Sequence, residues 1–345
     1  MKVLVVNNAA PFQRGGAEEL ADHLVAQLNA TQGVQAELLR VPFSWEPAGR
    51  LVDEILINQS LRLHKVDRVI GLKFPAYLIP HDNKVLWLLH QFRQAYDLDV
   101  AGQSHLGDDE TGVALKRAIH TADNEAFAQC RRIYCNSPVT QDRLSRFNGV
   151  AGEVLYPPLN DAALFTGGDY GDYVFAGGRV GQGKRQHLLI EALALLPGSL
   201  RLVIAGPPES PAYADRLRGL VEAHGLGDRV ELRFGYHPRA DIAAWVNGAL
   251  ACAYLPFDED SLGYVTMEAF AAGKAVLTTT DSGGLLEMVG AETGEVVEPE
   301  AQALAEGLAR LTSSARRAMS LGAAAQNLWT AKGVTWDHTV RQLLE

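Results

Sequence analysis

Short, uninterrupted apolar runs alternate with segments of helical periodicity along the chain. The first run, Val3–Val6, precedes a segment from Ala17 to Leu28 in which apolar residues recur at helical spacing. Strands that are apolar throughout are typical of parallel sheets that helices cover on both faces. The alternation therefore predicts an α/β fold built from Rossmann-like βαβ units. Further strands of this kind are predicted at 36–41, 68–72, 85–89, 202–205, 230–234, 250–254 and 276–279.

The length of the chain indicates two domains. A chain of 345 residues exceeds the size at which a single hydrophobic core usually stops growing. The glycine-rich segment Thr166–Gly171 interrupts the alternation and is typical of a hinge. We therefore predict an N-terminal Rossmann-like domain at 1–165 and a second one at 166–320. C-terminal helices are expected at 321–345.

Charge and composition exclude several classes of protein. The net charge of −10 argues against a nucleic-acid binder and leaves membrane association at most peripheral. Cys130, Cys135 and Cys252 show no metal-ligand spacing, which fits a reducing compartment. The chain begins with a strand-like run and contains no apolar run of about 18 residues, so no signal peptide or transmembrane helix is expected. We predict a cytoplasmic protein.

The segment Asp258–Glu268 carries the clearest sign of a ligand site. A predicted strand leads into acidic residues, Gly263 follows, and an apolar helix begins there. This geometry directs free backbone N–H groups and the positive end of a helix dipole at an anion, and glycine allows a ligand to approach the main chain. Glu268, about one turn into the helix, is placed to accept hydrogen bonds from sugar hydroxyls. The alternatives are an N-cap role for Asp260 and a solvated position for Glu268.

The same run resembles the donor-binding segment of retaining family 4 glycosyltransferases, which have the GT-B fold. In that fold two Rossmann-like domains place their parallel sheets facing each other across a cleft, where the active site lies, and the last C-terminal helix crosses back to pack on the first domain. The matching positions are Asp260, Gly263, Glu268, Ala269–Val276 and Gly283–Gly284. The chain departs from the family pattern in having Asp260 where the family has a glutamate.

The resemblance extends to a basic turn. Arg179 and Lys184 match the family's G-R-x-x-x-x-K pattern, which binds the pyrophosphate of the donor. Arginine binds phosphate as a fork and lysine as a point charge. Without the resemblance, both side chains are better explained as solvated charges. Gly235 and Tyr236 correspond to the turn where family members hold the base of the nucleotide through the main chain.

Two further parts of the first half are implicated. Gly15 and Gly16 precede the first predicted helix and correspond to the family's glycine loop, which approaches the donor phosphate and the acceptor. His90 ends an apolar strand, where catalytic groups of parallel sheets lie, and a histidine in this region of the family binds the donor sugar or the reacting centre. Arg93 and Tyr96 are expected to contact donor or acceptor.

The resemblance implies a retaining glycosyltransferase that moves a sugar from a nucleotide-diphosphate sugar, UDP- or GDP-linked, to an acceptor hydroxyl. The acceptor is a carbohydrate, a lipid-linked molecule or a small molecule, and neither a cofactor nor a metal is expected. Arg179 and Lys184 would stabilise the departing diphosphate, Glu268 would bind the ribose and Asp260 the transferred sugar. The N–H groups that assist are expected at Ser261, Leu262, Gly263 and Tyr264.

Two other functions remain open. A non-catalytic nucleotide-sugar binding protein would share the donor site, with Asp260 as a sign of lost activity. A GT-B nucleotide-sugar epimerase would share the fold, although the sequence offers no obvious acid/base pair for epimerisation. An NAD-dependent oxidoreductase is disfavoured because neither half has a G-x-G-x-x-G turn followed by an acidic residue about 20 positions later.

Overall fold

The computed structural model describes residues 1–10, 12 and 14–345. The chain forms two compact units. The first contains Met1–Pro158 together with Thr335–Glu345, and the second contains Leu159–Val334. The sequence placed the division at 165/166 and assigned 321–345 to closing helices, whereas the helix Ala315–Lys332 lies within the second unit and only the last helix lies in the first.

The first unit is a six-stranded, all-parallel sheet with helices on both faces, in the strand order β2-β1-β3-β4-β5-β6. Its strands are β1 (Lys2–Ala9), β2 (Gln35–Pro42), β3 (Arg68–Lys73), β4 (Lys84–His90), β5 (Cys130–Cys135) and β6 (Glu153–Val154). Its helices before the division are α1 (Gly16–Ala30), α2 (Leu51–Ser60), α3 (Asp97–Val100), α4 (Glu110–Ala128) and α5 (Pro138–Asn148).

Strand β4 shows why the central strands are apolar at every position. Val85 and Trp87 belong to a buried cluster with α1, whereas Leu86 and Leu88 point to the other face and pack with α2 and α4. Because successive side chains of a strand point to opposite faces, a sheet covered on both sides needs both sets to be apolar. The predicted α/β architecture is confirmed at this point.

The second unit repeats the plan with the strand order β12-β11-β10-β7-β8-β9, again all parallel. Its strands are β7 (Tyr173–Gly177), β8 (Arg201–Gly206), β9 (Val230–Phe234), β10 (Ala251–Ala253), β11 (Val276–Thr279) and β12 (Gly294–Val297). Its helices are α6 (Gln186–Ala194), α7 (Pro211–Ala223), α8 (Arg239–Gly248), α9 (Tyr264–Ala271), α10 (Ala301–Leu311) and α11 (Ala315–Lys332).

The last helix, α12 (Trp336–Leu344), belongs to the first unit. Val340 and Leu343 share a buried cluster with Leu24 of α1. Arg68 at the start of β3 donates a hydrogen bond of 2.9 Å to the carbonyl oxygen of Leu343. The end of the chain is therefore part of the core of the first unit.

Each sheet has one switch point, where strands on the two sides are connected in opposite directions. In the first sheet it lies between β1 and β3, and in the second between β7 and β10. Ligands of open parallel sheets bind beyond the carboxyl ends of the strands at such a point. The topology of the second unit therefore predicts a ligand site at the loops that follow β7 and β10.

Candidate functional site

The loops after β7 and β10 are joined by direct contacts. The basic turn is defined here as Gly178–Arg185, and the acidic turn as Phe257–Ser261. The backbone N–H of Phe257 donates to the carbonyl oxygen of Gly183 at 2.9 Å. A Cβ atom on Gly178, whose φ is +95°, would lie 3.2 Å from Val265 in the first turn of α9. The basic turn, the acidic turn and the start of α9 therefore form one continuous surface.

Arg185 holds these loops together. Its guanidinium donates to the carbonyl oxygens of Leu255 and Pro256 at 2.8 and 2.9 Å, and it forms a bidentate pair with Asp281 at 2.8 Å for both bonds. A further bond of 2.8 Å reaches Thr279 Oγ1. The hydrogen bonds from Arg185 lower the pKa of Asp281, against the opposing effect of burial. The sequence analysis did not identify Arg185 as part of the site.

The two predicted phosphate-binding side chains differ in their surroundings. Arg179 is exposed, and within the described ranges its guanidinium forms no hydrogen bond or ion pair. Lys184 instead forms an ion pair with Glu259 and donates to Tyr254 Oη at 2.9 Å. Burial opposes the charge of Lys184, but Glu259 and Tyr254 outweigh this effect and raise its pKa above the ordinary value. Lys184 therefore carries its own counter-ion, which the sequence analysis did not anticipate.

Gly263 is required for a different reason from the one expected. Its φ of +71° is a conformation that favours glycine, and a Cβ atom there would lie 2.6 Å from Cε1 of Tyr254. The space beside its Cα is thus occupied by an aromatic ring and not left open for a ligand. Gly263 precedes the first residue of α9, and no side chain caps the helix at this position.

The start of α9 has backbone donors without an acceptor in the described chain. Within the described chain, the backbone N–H groups of Leu262 and Val265 donate to no carbonyl oxygen, whereas the N–H of Gly263 donates to Ser261 Oγ at 3.3 Å. Leu262 itself is buried and Tyr264 is half-buried. Free N–H groups at the positive end of a helix stabilise a negative charge.

Asp260 is only 7% exposed and lies before this helix without serving as its N-cap, so the capping alternative is not supported.

The glycine pair that follows β11 packs against the backbone of the acidic turn. Cβ atoms on Gly283 and Gly284 would lie 2.4 Å from the carbonyl oxygen of Glu259 and 2.7 Å from that of Ser261. Gly283 and Gly284 therefore pack closely against the backbone of the acidic turn and hold it in place.

Glu268 is 4% exposed, so the solvated alternative is wrong. Arg239 Nη1 lies 2.5 Å from Glu268 Oε1, and Arg239 Nη2 also donates to the carbonyl oxygen of Asn160 at 3.2 Å. Burial raises the pKa of Glu268, and Arg239 acts in the opposite direction. The other carboxylate oxygen accepts no hydrogen bond from the part of the chain that the structure describes. Arg239 was missed because nothing near Glu268 in the sequence points to it.

Gly235 and Tyr236 lie directly after β9. Gly235 has a φ of +121° and donates its N–H to the carbonyl oxygen of Gly206 at 3.0 Å, and Tyr236 is 60% exposed. Gly206 has a φ of +144°, and a Cβ atom there would lie 1.9 Å from the carbonyl oxygen of Gly178, so this position needs glycine. The proposed base-binding turn is thus connected through backbone contacts to the basic turn.

In the first unit, His90 ends β4 as predicted. Its Nδ1 lies 2.6 Å from the carbonyl oxygen of Gln91, so Nδ1 carries the proton and Nε2 is an acceptor. Burial lowers the pKa of His90 to about 4, and Lys73 and Arg93 contribute in the same direction. His90 is therefore a neutral imidazole near pH 7.

Four other predicted residues of the first unit have different surroundings. Gly15 and Gly16 stand at the start of α1, where the carbonyl of Gly15 accepts from the N–H of Glu19 at 3.1 Å. Tyr96 is buried and donates to Asp123 at 2.8 Å, so the expectation that it contacts a ligand is wrong. Arg93 forms an ion pair with Asp97, the first residue of α3, and helps to hold that segment in place.

The described residues contain neither a cluster suited to a metal ion nor a helix suited to a bilayer. Among the residues that the structure describes, no group of three or more His, Cys, Asp or Glu side chains is arranged to hold a metal ion. In the described ranges, no helix is both long enough and apolar enough to cross a bilayer.

The overall fold is that of the GT-B glycosyltransferases. HepE of Anabaena, solved with UDP and glucose, superimposes with a TM-score of 0.73 at 18% identity, covering 100% of this chain and 98% of that one. Sucrose-phosphate synthase from Thermosynechococcus elongatus gives a TM-score of 0.77 at 19% identity, covering 99% and 97%. The class defined by the two parallel sheets and the site of the second unit is thus GT-B.

A family model matches the second unit. Residues 169–328 match the family described as glycosyl transferases group 1. The D-inositol 3-phosphate glycosyltransferase of Jonesia denitrificans is 31% identical over 258 residues, which are 69% of this chain and 58% of that protein. The enzyme of that name from Corynebacterium glutamicum is 27% identical over 283 residues, which are 75% and 66%. The chain thus spans less than two thirds of the length of these relatives.

Proposed function

We propose that this protein is a retaining glycosyltransferase that moves a sugar from a nucleotide-diphosphate sugar to a hydroxyl group of an acceptor. The observation that carries the proposal is the surface at the switch point of the second unit. There the exposed Arg179 lies in the basic turn, the N–H groups of Leu262 and Val265 donate to no carbonyl oxygen of the described chain, and the carboxylate of Glu268 is buried within α9. A diphosphate and the hydroxyls of a ribose need this combination of donors and acceptor.

The diphosphate is the leaving group in the proposed reaction. As the bond between the anomeric carbon and the phosphate oxygen breaks, negative charge grows on that oxygen. Lys184 and the start of α9 are held in place before the reaction, and together with the exposed Arg179 they stabilise this charge, which is electrostatic transition-state stabilisation. Because these groups supply the positive charge, the proposed mechanism needs no metal ion.

Glu268 is proposed to bind the ribose. A ribose hydroxyl donates to a carboxylate most strongly when the carboxylate is ionised. Arg239 favours the ionised form against the effect of burial, and it occupies one oxygen of Glu268 while the other is available. We assign Asp260 to the transferred sugar, and Gly235 and Tyr236 to the base.

His90 of the first unit is proposed to accept a hydrogen bond from a hydroxyl of the transferred sugar through Nε2. The acceptor oxygen attacks the anomeric carbon from the face that the diphosphate leaves. Its proton passes to the departing phosphate oxygen, and the products are the glycosylated acceptor and the nucleoside diphosphate. Since the phosphate takes the proton, no side chain is assigned as a general base.

Donor and acceptor are proposed from the relatives. HepE was solved with UDP and glucose, which makes UDP-glucose the first donor to test. The curated relatives are named for D-inositol 3-phosphate, which makes a phosphorylated polyol the first acceptor.

The test is a transfer assay followed by NMR of the anomeric proton. We expect a product with the anomeric configuration of the donor, and formation of one nucleoside diphosphate for each sugar transferred. Inversion would contradict the retaining assignment. Donor binding without transfer to a panel of polyol, carbohydrate and lipid-linked acceptors would indicate the non-catalytic binding protein instead.

A further inference from the structure

Lys184, Tyr254 and Glu259 form a closed cluster beside the predicted diphosphate site. Lys184 is ion-paired with Glu259, and Tyr254 Oη accepts from Lys184 and donates to Glu259 Oε2 at 2.9 Å in each case. The ammonium group also lies 5.1 Å from the centre of the Tyr254 ring. The side chains of Lys184 and Glu259 are 27% and 21% exposed, so solvent screens this pair less than an ordinary surface pair.

The fold holds Glu259 in this position through its backbone. Its N–H donates to the carbonyl oxygen of Ser282 at 3.2 Å, and its own carbonyl oxygen accepts from Gly284 N–H at 2.7 Å. On the other side, the bond from Phe257 to Gly183 ties the acidic turn to the turn that carries Lys184. The ion pair is therefore built by two loops that are already fixed, unlike a chance contact of two long side chains.

The pair changes the charge that the site presents to a diphosphate. Lys184 donates two of its three N–H bonds to Tyr254 and Glu259, so one remains for a ligand among the described contacts. The carboxylate of Glu259 neutralises the ammonium charge and repels an anion that approaches it. The raised pKa of Lys184 means that the lysine stays charged across the working range of pH, so the pair persists until a ligand competes for it.

We propose that Glu259 is an internal counter-ion that competes with the diphosphate for Lys184 and thereby weakens binding of both donor and product nucleotide. This inference rests on the proposed function, because it requires the diphosphate to lie at the basic turn. Binding energy shared equally by ground state and transition state does not raise kcat. A built-in competitor that weakens such binding speeds the release of the nucleoside diphosphate while leaving Arg179 and the start of α9 to act on the leaving group.

The test compares Glu259→Gln with the wild type by isothermal titration. Glutamine keeps the shape and an acceptor oxygen and removes only the charge. With UDP and with inorganic pyrophosphate as probes, we expect about tenfold tighter binding in 0.05 M salt and a smaller gain in 0.5 M salt. Uridine, which carries no phosphate, should bind both proteins equally. A lower KM for donor without a higher kcat is expected in turnover.

Glu295→Gln is the matched control, because Glu295 is also an ion-paired glutamate of the second unit and its partners are Arg310 and Arg317. It should not change binding of UDP or pyrophosphate. Thermal unfolding of each variant shows whether it is folded, and Glu259→Ser provides a second removal of the charge should Glu259→Gln be unstable.

The possible outcomes separate the two proposals. Unchanged or weaker UDP binding in both Glu259 variants, while Arg179→Ala weakens it, would overturn the counter-ion role and leave the donor site intact. An equal gain for uridine would also overturn it, since the effect would then not depend on phosphate charge. If no nucleoside diphosphate or pyrophosphate binds the wild type or any variant, both the counter-ion role and the proposed donor site fail.

Discussion

Arg239 Nη1 lies 2.5 Å from Glu268 Oε1, so the carboxylate assigned to the ribose is held by an arginine of another helix before any ligand arrives. Glu268 is 4% exposed and the Arg239 side chain is 34% exposed, so the pair joins a buried group to one that solvent reaches. Arg239 therefore stabilises the fold by balancing a buried charge, and it also positions the carboxylate that is proposed to bind the ribose.

Replacement of Arg239 by alanine is expected to lower the free energy of unfolding by about 1–3 kcal/mol, because a buried carboxylate loses its charged donor. The loss should become smaller as pH falls, because protonation of Glu268 removes the charge that Arg239 balances. Denaturant titration over a range of pH measures this. In Arg239→Ala/Glu268→Gln the pH dependence of the loss should disappear. Arg218→Ala, which breaks an exposed pair with Asp215, should change stability by less than about 0.5 kcal/mol.

Alanine substitution of Arg179 and of Arg185, two arginines of the basic turn, should have different effects on stability and on binding. Arg179→Ala should leave the free energy of unfolding unchanged, because its exposed guanidinium forms no hydrogen bond or ion pair with a described residue, and should weaken nucleoside diphosphate binding at least about tenfold. Arg185→Ala should lower stability by about 3 kcal/mol, because Asp281 and two carbonyl oxygens lose their donor. Chemical unfolding and titration of both variants provide the comparison. Equal stability losses would contradict the assigned division of roles.

Gly263→Ala is expected to destabilise the second unit by about 2–3 kcal/mol. The φ of +71° disfavours any side chain, and the new methyl group would meet the ring of Tyr254 at 2.6 Å. Gly290→Ala is the control, since φ is not positive there and a Cβ atom would meet nothing within 4 Å. Thermal unfolding distinguishes the two. If both substitutions are equally mild, the backbone constraint at Gly263 is not the reason for glycine.

Asp123 should make the stability of the first unit depend on pH. It is fully buried and accepts hydrogen bonds from Tyr77 and Tyr96 at 2.9 and 2.8 Å. Burial raises its pKa to about 7, although the two tyrosines act in the opposite direction. Between about pH 4 and 7 the folded state thus binds a proton that the unfolded state has lost. Stability therefore falls as pH rises through this window, by at most about 1.4 kcal/mol per pH unit.

Asp123→Asn removes this titration and tests the sign. The difference in unfolding free energy between wild type and variant should shift in favour of the variant as pH is raised from 5 to 8. Using the difference cancels the contributions of other groups, such as His90 and His187, whose pKa values burial lowers to about 4. A difference that is constant between these pH values would contradict the raised pKa of Asp123.

The fold was predictable because its signals are local. The apolar runs at 68–72 and 85–89 lie within β3 and β4, and 250–254 surrounds the short strand β10. A strand covered on both faces is recognisable from its own residues alone. The position of His90 at the end of β4 follows from the same pattern.

The partners of the site residues were not predictable in this way. Arg239 is 29 positions from Glu268, and Glu259 is 75 positions from Lys184. Such pairs are created by strand order, which places β7 beside β10, and no periodic pattern encodes that order. Gly263 was correctly selected as special, but the ring of Tyr254 that requires it is visible only in the folded unit.

The central claim is that the second unit binds a nucleoside diphosphate at the switch point between β7 and β10. The most direct measurement is thermal unfolding of the wild type and Glu268→Ala with UDP-, GDP-, ADP- and CMP-linked sugars. At about 100 times its dissociation constant, the correct donor should raise the free energy of unfolding by about 2.7 kcal/mol. We predict that one nucleotide class gives this gain in the wild type and that Glu268→Ala loses it. No gain with any of the four, or an undiminished gain in Glu268→Ala, would contradict the donor site proposed for this protein.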